Sequence, residues 1–272
     1  MPRPKSCPQK EPSPMKLANL SRSLLRSAAV AVVALGMAGC ATTPGSSEAD
    51  VTVSDPLEIP NRFVFAVNET ADILLIRPAT EVYVGVVPDP LRQAVHNFIQ
   101  NLLGPLYIAN NLLQGDFDGA QVATGRFMTN TILGIGGLAD VATEAGIGDR
   151  PEDFGQTLGV WGVGPGPYVV LPFLGPSNVR DTLGYGVDTL ADPFRIGTNA
   201  AGADNAMYGR TAAAGLDRRS QLLREIDDLR KNSLDFYATA RSLYAQQRRA
   251  AIANDIAPAT PDFPDFDEPA KK

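Results

Sequence analysis

Histidine occurs once in 272 residues, as His96, and cysteine twice, as Cys7 and Cys40. One imidazole excludes a His-rich metal site within a single chain. Any Ser-His-Asp arrangement would have to use His96, which falls inside a helical pattern beside Asn97. Ser177 lies in G-P-S-N-V rather than G-x-S-x-G and reads as a helix cap. No metal, no cofactor and no catalytic residue is expected. Charge is missing in three places: residues 93–115, 128–138 and 155–178 hold nothing that is ionised at neutral pH apart from the option on His96. Long apolar runs are missing too. The longest, A-A-V-A-V-V-A-L-G-M-A-G-C at 28–40, is shorter than the roughly 20 residues a helix needs to cross a bilayer.

The apolar run follows Lys16, Arg22 and Arg26 and ends in small residues before Cys40, which is the layout of a secretory signal. Met15 is read as its true start. Residues 1–39 carry Arg3, Lys5, Lys10, Lys16, Arg22 and Arg26 against Glu11, a net of +5, so the remainder of a chain at -6 stands at -6 - 5 = -11. That acidity argues against nucleic acid as a partner. The segment Met37-Ala38-Gly39-Cys40 resembles a lipobox, with Met37 where leucine is commoner, and implies a thioether-linked lipid on Cys40. One cysteine then remains and no internal disulfide can form. Ala41, in place of aspartate, favours sorting to the outer membrane by analogy with bacterial lipoproteins.

Glycine and proline number 25 and 22 and punctuate the chain every few residues between 126 and 193, so no helix or strand is expected to run long there. A backbone that is both broken and uncharged is unusual for a water-exposed loop. It is tolerated inside protein or around a cavity, including at membrane depth. In order, residues 40–54 read as a tether. Asn61 is expected to cap a helix carrying Phe63, Ala66, Val67, Thr70 and Leu74 on one face, ended by Pro78. Residues 86–117 read as two helices separated at Gly104-Pro105, with Asp89 capping the first. Their polar positions are His96, Asn97, Gln100, Asn101, Asn110 and Asn111, neutral groups that cost far less to bury near lipid or a channel than ions do. A further helix is expected from Asp118 or Gly119, and another from Pro176-Ser177 that stops before Pro193. Residues 204–254 read as one long or two tandem amphipathic helices, with Leu222, Ile226, Leu229, Phe236 and Leu243 on one stripe. Residues 254–272 read as a disordered acidic tail.

Two glycine motifs invite a nucleotide reading and fail. Gly134-Ile135-Gly136-Gly137-Leu138-Ala139 fits G-x-G-x-x-A but follows a helical pattern instead of a strand. The second, beginning Gly162-Val163-Gly164, places Pro165 and Pro167 where backbone N–H donors are required.

D-F-G-Q-T-L-G-V-W-G-V-G-P-G-P-Y-V-V-L-P-F-L-G-P-S-N-V-R-D at 153–181 resembles the signature of the MlaA (VacJ) lipoproteins, outer-membrane components of the intermembrane phospholipid transport system. D-P-L-E-I-P-N-R-F-V-F-A-V-N at 55–68 and R-F-M-T-N-T-I-L-G-I-G-G-L-A-D-V-A at 126–142 resemble further motifs of that family in the same order, and residues 233–249 resemble its terminal helix. The resemblance implies an all-α single domain over 55–253: short, Pro/Gly-interrupted helices in a ring- or disc-like bundle with long C-terminal helices. It implies a protein lipid-anchored at Cys40 on the periplasmic face of the outer membrane. There it would pass mislocalised phospholipid from the outer leaflet through an amphipathic channel toward a soluble carrier like MlaC, with a trimeric porin as membrane partner. The chemistry would be passage, not catalysis. Residues 162–174 are the expected channel wall, with Gly164, Gly166, Tyr168 and Leu171 lining it and Asn110 and Asn111 nearby. The alternative is a lipid-anchored periplasmic scaffold that binds porin or cell-wall partners without moving lipid.

Overall fold

The computed structural model describes residues 53–254, all within the unit Asp50–Lys272. The signal segment 1–39, Cys40, the tether up to residue 52 and the tail beyond Asn254 lie outside the described residues. Helix α1 (Glu58–Ala71) continues without a stop into a π-helical turn, Asp72–Ile76, and then into α2 (Arg77–Val86). Pro78 therefore does not end the first helix. It sits in the first turn of α2, where a missing N–H is tolerated, and the wider π turn upstream relieves the clash its ring would make with the carbonyl four residues back. Asn61 is not a cap either. It lies inside α1, buried, and its amide donates to Asp55 Oδ1 at 2.8 Å and to the Tyr168 carbonyl at 3.0 Å. Its own oxygen accepts from the Val170 N–H at 3.0 Å.

Gly104-Pro105 does not divide the next helix: α3 (Asp89–Gln114) runs 26 residues straight through it. Proline removes one ladder bond, and packing against α4 (Phe117–Ile132) more than offsets that loss. Gly104 is what permits the packing, since a Cβ there would come within 2.7 Å of Phe127 Cδ2. The turn between them is set by Gly115 at φ 80, with the Asp116 N–H returning to the Asn111 carbonyl at 3.0 Å. Asp116 then caps α4, accepting from the Gly119 N–H at 2.8 Å.

Two short helices follow, α5 (Val141–Glu144) capped by Asp140 and α6 (Phe154–Val160) capped by Asp153. Strands β1 (Tyr168–Leu171) and β2 (Gly175–Asn178) pair antiparallel with Tyr168 opposite Asn178. Helix α7 (Val179–Ala191) is capped by Asn178, not by Ser177, which β2 absorbs. It does stop ahead of Pro193, which opens α8 (Pro193–Ala200). The C-terminal region forms three helices where one or two were expected: α9 (Asp204–Gln221), α10 (Leu223–Asn232) and α11 (Phe236–Ile252). The domain is mostly helical, as the sequence reading required, with one two-stranded sheet among the described residues.

Tyr168, Val170 and Tyr237 make a small core with Val64, Phe65 and Tyr244 packed against it. Phe65 meets Phe236 and Tyr237 edge-on at 5.3 and 5.4 Å between ring centroids. Beyond that cluster the polarity runs against expectation for a protein bathed in water. Among the described residues the buried set holds eight apolar side chains and eighteen polar or charged ones, while Ile59 (86 % exposed), Phe63 (71 %), Leu75, Val86, Phe117, Ile135 and Phe173 face outward. No described helix is long and apolar enough to cross a membrane.

Candidate functional site

The amide side chains of α3 recur three or four residues apart, which puts them on one face of the helix. That face, with Gln93, His96, Asn97, Gln100, Asn101 and Tyr107, is one wall of a cavity of about 300 Å³. Ala123, Arg126, Phe127 and Asn130 of α4 form the opposite wall, and Asp140, Asp149 and Arg150 close one side. The glycine-rich link after α4 lies against the amides. Asn97 donates to the Leu138 carbonyl at 3.3 Å. A Cβ on Gly137, which sits at φ +94, would fall 2.5 Å from the Asn101 side chain. The G-x-G-x-x-A sequence is thus a close backbone approach, made for packing. Asn101 donates to Thr131 Oγ1 at 3.0 Å, and its Oδ1 is buried with no partner among the described residues.

Arg126 is held by Asp140 at 2.5 Å, Thr143 Oγ1 at 2.9 Å and the Ile147 carbonyl at 3.0 Å, with Asp149 at 3.6 Å. Burial pulls the Asp140 carboxyl upward. Hydrogen bonds from Thr143 and Asn130 and the Arg126 charge outweigh it and keep that carboxyl below the usual range. His96 Nδ1 lies 2.8 Å from Asp217 Oδ2 and 2.6 Å from Gln221 Nε2, joining α3 to α9. This is a His–Asp pair, but no serine, threonine or cysteine is among the residues that line the cavity.

None of the six residues expected to line a passage borders this cavity. Asn110 and Asn111 are 2 % and 1 % exposed. Asn110 donates to Asp188 Oδ1 at 3.2 Å and accepts from Thr157 Oγ1 at 3.0 Å, while Asn111 donates to the Tyr107 and Arg150 carbonyls at 2.8 and 3.3 Å. They fasten α3 to α6, α7 and the segment before α6. Gly164 and Gly166 are in an exposed loop, Tyr168 is in the core, and Leu171 is half-buried at the end of β1. Sequence reasoning did mark the neutral polar face of His96, Asn97, Gln100 and Asn101. It missed Arg126, Phe127, Asn130 and Arg150, whose approach depends on how α4 and the following loops fold back. A second, open groove of about 480 Å³ is almost wholly apolar, formed by Phe63, Ala66, Val67, Thr70, Ala71, Leu74 and Leu75 of α1 and the π turn.

A family model described as MlaA lipoprotein matches residues 53–251. The chain is 37 % identical over 234 residues to the intermembrane phospholipid transport system lipoprotein MlaA of Escherichia coli (strain K12), covering 85 % of this chain and 89 % of the relative. It is 32 % identical over 218 residues to the protein of the same name from Haemophilus influenzae, covering 78 % and 84 % of the two. An uncharacterized protein of Rickettsia bellii is 38 % identical over 208 residues, 74 % and 77 % of the two chains. A solved structure reported under "Structural basis for maintenance of bacterial outer membrane lipid asymmetry" has a TM-score of 0.64 and 37 % identity, covering 73 % of this chain and 99 % of that one. By sequence match across nearly all of its described length, and by fold, this chain belongs to the MlaA lipoprotein family.

Proposed function

We propose that this protein sits in the inner leaflet of the outer membrane, anchored by lipid on Cys40, and passes phospholipid from the outer leaflet toward a soluble periplasmic carrier, so maintaining lipid asymmetry. The observation that carries the reading is the inverted polarity: large apolar side chains outward, amides inward around a cavity. Outward apolar faces lose nothing among acyl chains, whereas in water they would be an aggregation hazard. The inward amides offer hydrogen bonds to a polar headgroup without the desolvation cost of ions. The names of the relatives from Escherichia coli and Haemophilus influenzae place those proteins in phospholipid transport.

On this reading the cavity between α3 and α4, and not the 162–174 loop, is the polar part of the path. The helices form a disc too thin to span the bilayer, a trimeric porin is the membrane partner, and an MlaC-like carrier receives the lipid. The protein binds and conducts lipid and breaks no bond in it. The test is outer-leaflet phospholipid, measured in intact cells by its accessibility to added phospholipase. A deletion strain is expected to expose more of it, and the wild-type gene to reverse this. Unchanged exposure refutes transport. A Cys40→Ala protein is expected still to partition into detergent, because the apolar faces remain; recovery in buffer alone favours the scaffold alternative.

A further inference from the structure

We infer that Arg150 is the residue that selects the phosphodiester of a phospholipid headgroup in the α3–α4 cavity; this rests on the transport reading above. Two arginines, Arg126 and Arg150, line the cavity. The charge of Arg126 is already met by Asp140 and Asp149, and its donors by Thr143 and the Ile147 carbonyl. Those two aspartates are also the carboxylates of the cavity lining. Arg150 differs. Among the described residues its hydrogen bonds are made by its backbone alone: the N–H to Asp149 Oδ1 at 3.0 Å, and the carbonyl accepting from Asn111 at 3.3 Å. Arg150 is a half-buried residue of the cavity lining, and its side chain has no acidic partner among the described residues. The lining therefore holds two arginines and two aspartates, and since both carboxylates lie on Arg126, the Arg150 fork is the one whose donors have no partner among the described residues.

A neutral donor of the same lining is oriented. Tyr107 donates its hydroxyl to Gln100 Oε1 at 2.7 Å, which fixes the Gln100 amide with its NH₂ as the open end. A planar guanidinium fork and an amide donor in the lining of one cavity suit a singly charged, multi-oxygen anion. Phe127, Tyr107 and Ala123 supply an apolar side for what is attached to that anion. The volume, about 300 Å³, is at the small end of ligand cavities, which run from roughly 300 to 1,000 Å³. It suits a headgroup and glycerol, with the acyl chains left outside. Inorganic phosphate shares the anionic chemistry but would leave the apolar side unfilled.

The test uses the full chain in a neutral alkyl glycoside detergent, with bound ligand resolved by native mass spectrometry. Dihexanoylphosphatidylcholine is titrated against wild type, Arg150→Gln, Arg150→Lys and Gln100→Glu, with dihexanoylglycerol and inorganic phosphate as comparison ligands. Arg150→Gln and Gln100→Glu are each expected to weaken the phospholipid by about tenfold or more, the size of one charge-assisted hydrogen bond. Dihexanoylglycerol is expected to be unaffected, and Arg150→Lys to recover part of the loss. Wild-type binding of the phospholipid with no change in Arg150→Gln overturns this inference and leaves the transport reading standing. No phospholipid binding by wild type sinks both. Inorganic phosphate that competes on equal terms makes free anion the occupant and overturns the assignment to lipid.

Discussion

Helices α6 and α7 cross through Gly155 and Gly184, and the crossing can be tested with one methyl group. A Cβ on Gly184 would fall 2.3 Å from the Gly155 nitrogen and 2.6 Å from its Cα, against ordinary contacts of 3.4 Å and more. These neighbours are backbone and cannot rotate away, so α6 must move by about 1 Å. That motion takes the Phe154 N–H···Asp188 Oδ2 bond from 2.8 Å out of hydrogen-bonding range. It also strains the Arg248 pairs to Asp153 and Asp181, at 2.6 and 2.8 Å. Overpacking costs about 1–3 kcal/mol and an orphaned buried donor a further ~1–3. Alanine recovers about 1 kcal/mol of helix propensity. Gly184→Ala is therefore expected to be destabilised by about 1–5 kcal/mol, a fall in Tm of roughly 2–20 °C for a chain of this size. Gly186→Ala, two residues along the same helix with nothing within 4 Å, keeps only the propensity gain and is expected to be neutral or up to about 1 kcal/mol more stable. Thermal unfolding of both in one detergent, followed by far-UV circular dichroism, decides the matter. A Gly184→Ala protein as stable as its parent, or equal loss in both variants, refutes the close-crossing argument.

Three further outcomes are expected. Asn61→Ala strands the buried Tyr168 carbonyl and Val170 N–H, and is expected to cost about 2–5 kcal/mol in denaturant titration and to loosen hydrogen exchange in the hairpin first. Arg248→Gln leaves Asp153 without a cation and Asp181 with Arg180, at 2.8 Å, as its remaining one. The expected loss is about 1–3 kcal/mol, because Arg180 still meets Asp181 and the share of Asp153, whose side chain is 42 % exposed, is screened. Both carboxyls sit below their usual range: burial raises them, but the Arg248 contacts win. Their stabilisation is present above the unfolded carboxyl range and lost as pH falls through the folded value, so Arg248→Gln should flatten that acid limb. Glu152 has the opposite sign. Burial first, and then Asp153, push it from 4.5 to about 6 against the Gln114 hydrogen bond, so its contribution is intact below 4.5 and is lost as pH rises through 6. Glu152→Gln is expected to stabilise by on the order of 2 kcal/mol near pH ~8 and by nothing near pH ~4; equal effects at both pH values count against the buried-carboxylate account.

Helix content was legible because the apolar stripes and the Pro193 stop are local signals. The two proline breaks misread at 78 and 105 were decided elsewhere: a π turn accommodates the first, and Phe127 packing on Gly104 holds the helix together across the second. The β-hairpin was missed because its strands are four residues each and one of them reads G-P-S-N, a sequence with little strand propensity. Asn61 supplies what propensity does not, since it bonds both a carbonyl and an N–H of β1 from within α1.

The absence of charge turns out to be one signal with two causes. Along 93–115 the helix is continuous, so amides three and four residues apart share a face, and that face could be read as a wall before its opposite side was known. Along 155–178 glycine and proline reset the chain direction every few residues, so no period survives to say which side chains point together. Tyr168 went into the core and Phe173 outward, five residues apart in an equally uncharged stretch. An uncharged segment can therefore be assigned to a cavity from sequence only where its backbone is regular enough to have a face. The broken segment carries the longest stretch that resembles the family, and within it Gly155 and Gly159 are closely approached by side chains from α7 and α11, neighbours that one-dimensional spacing does not record.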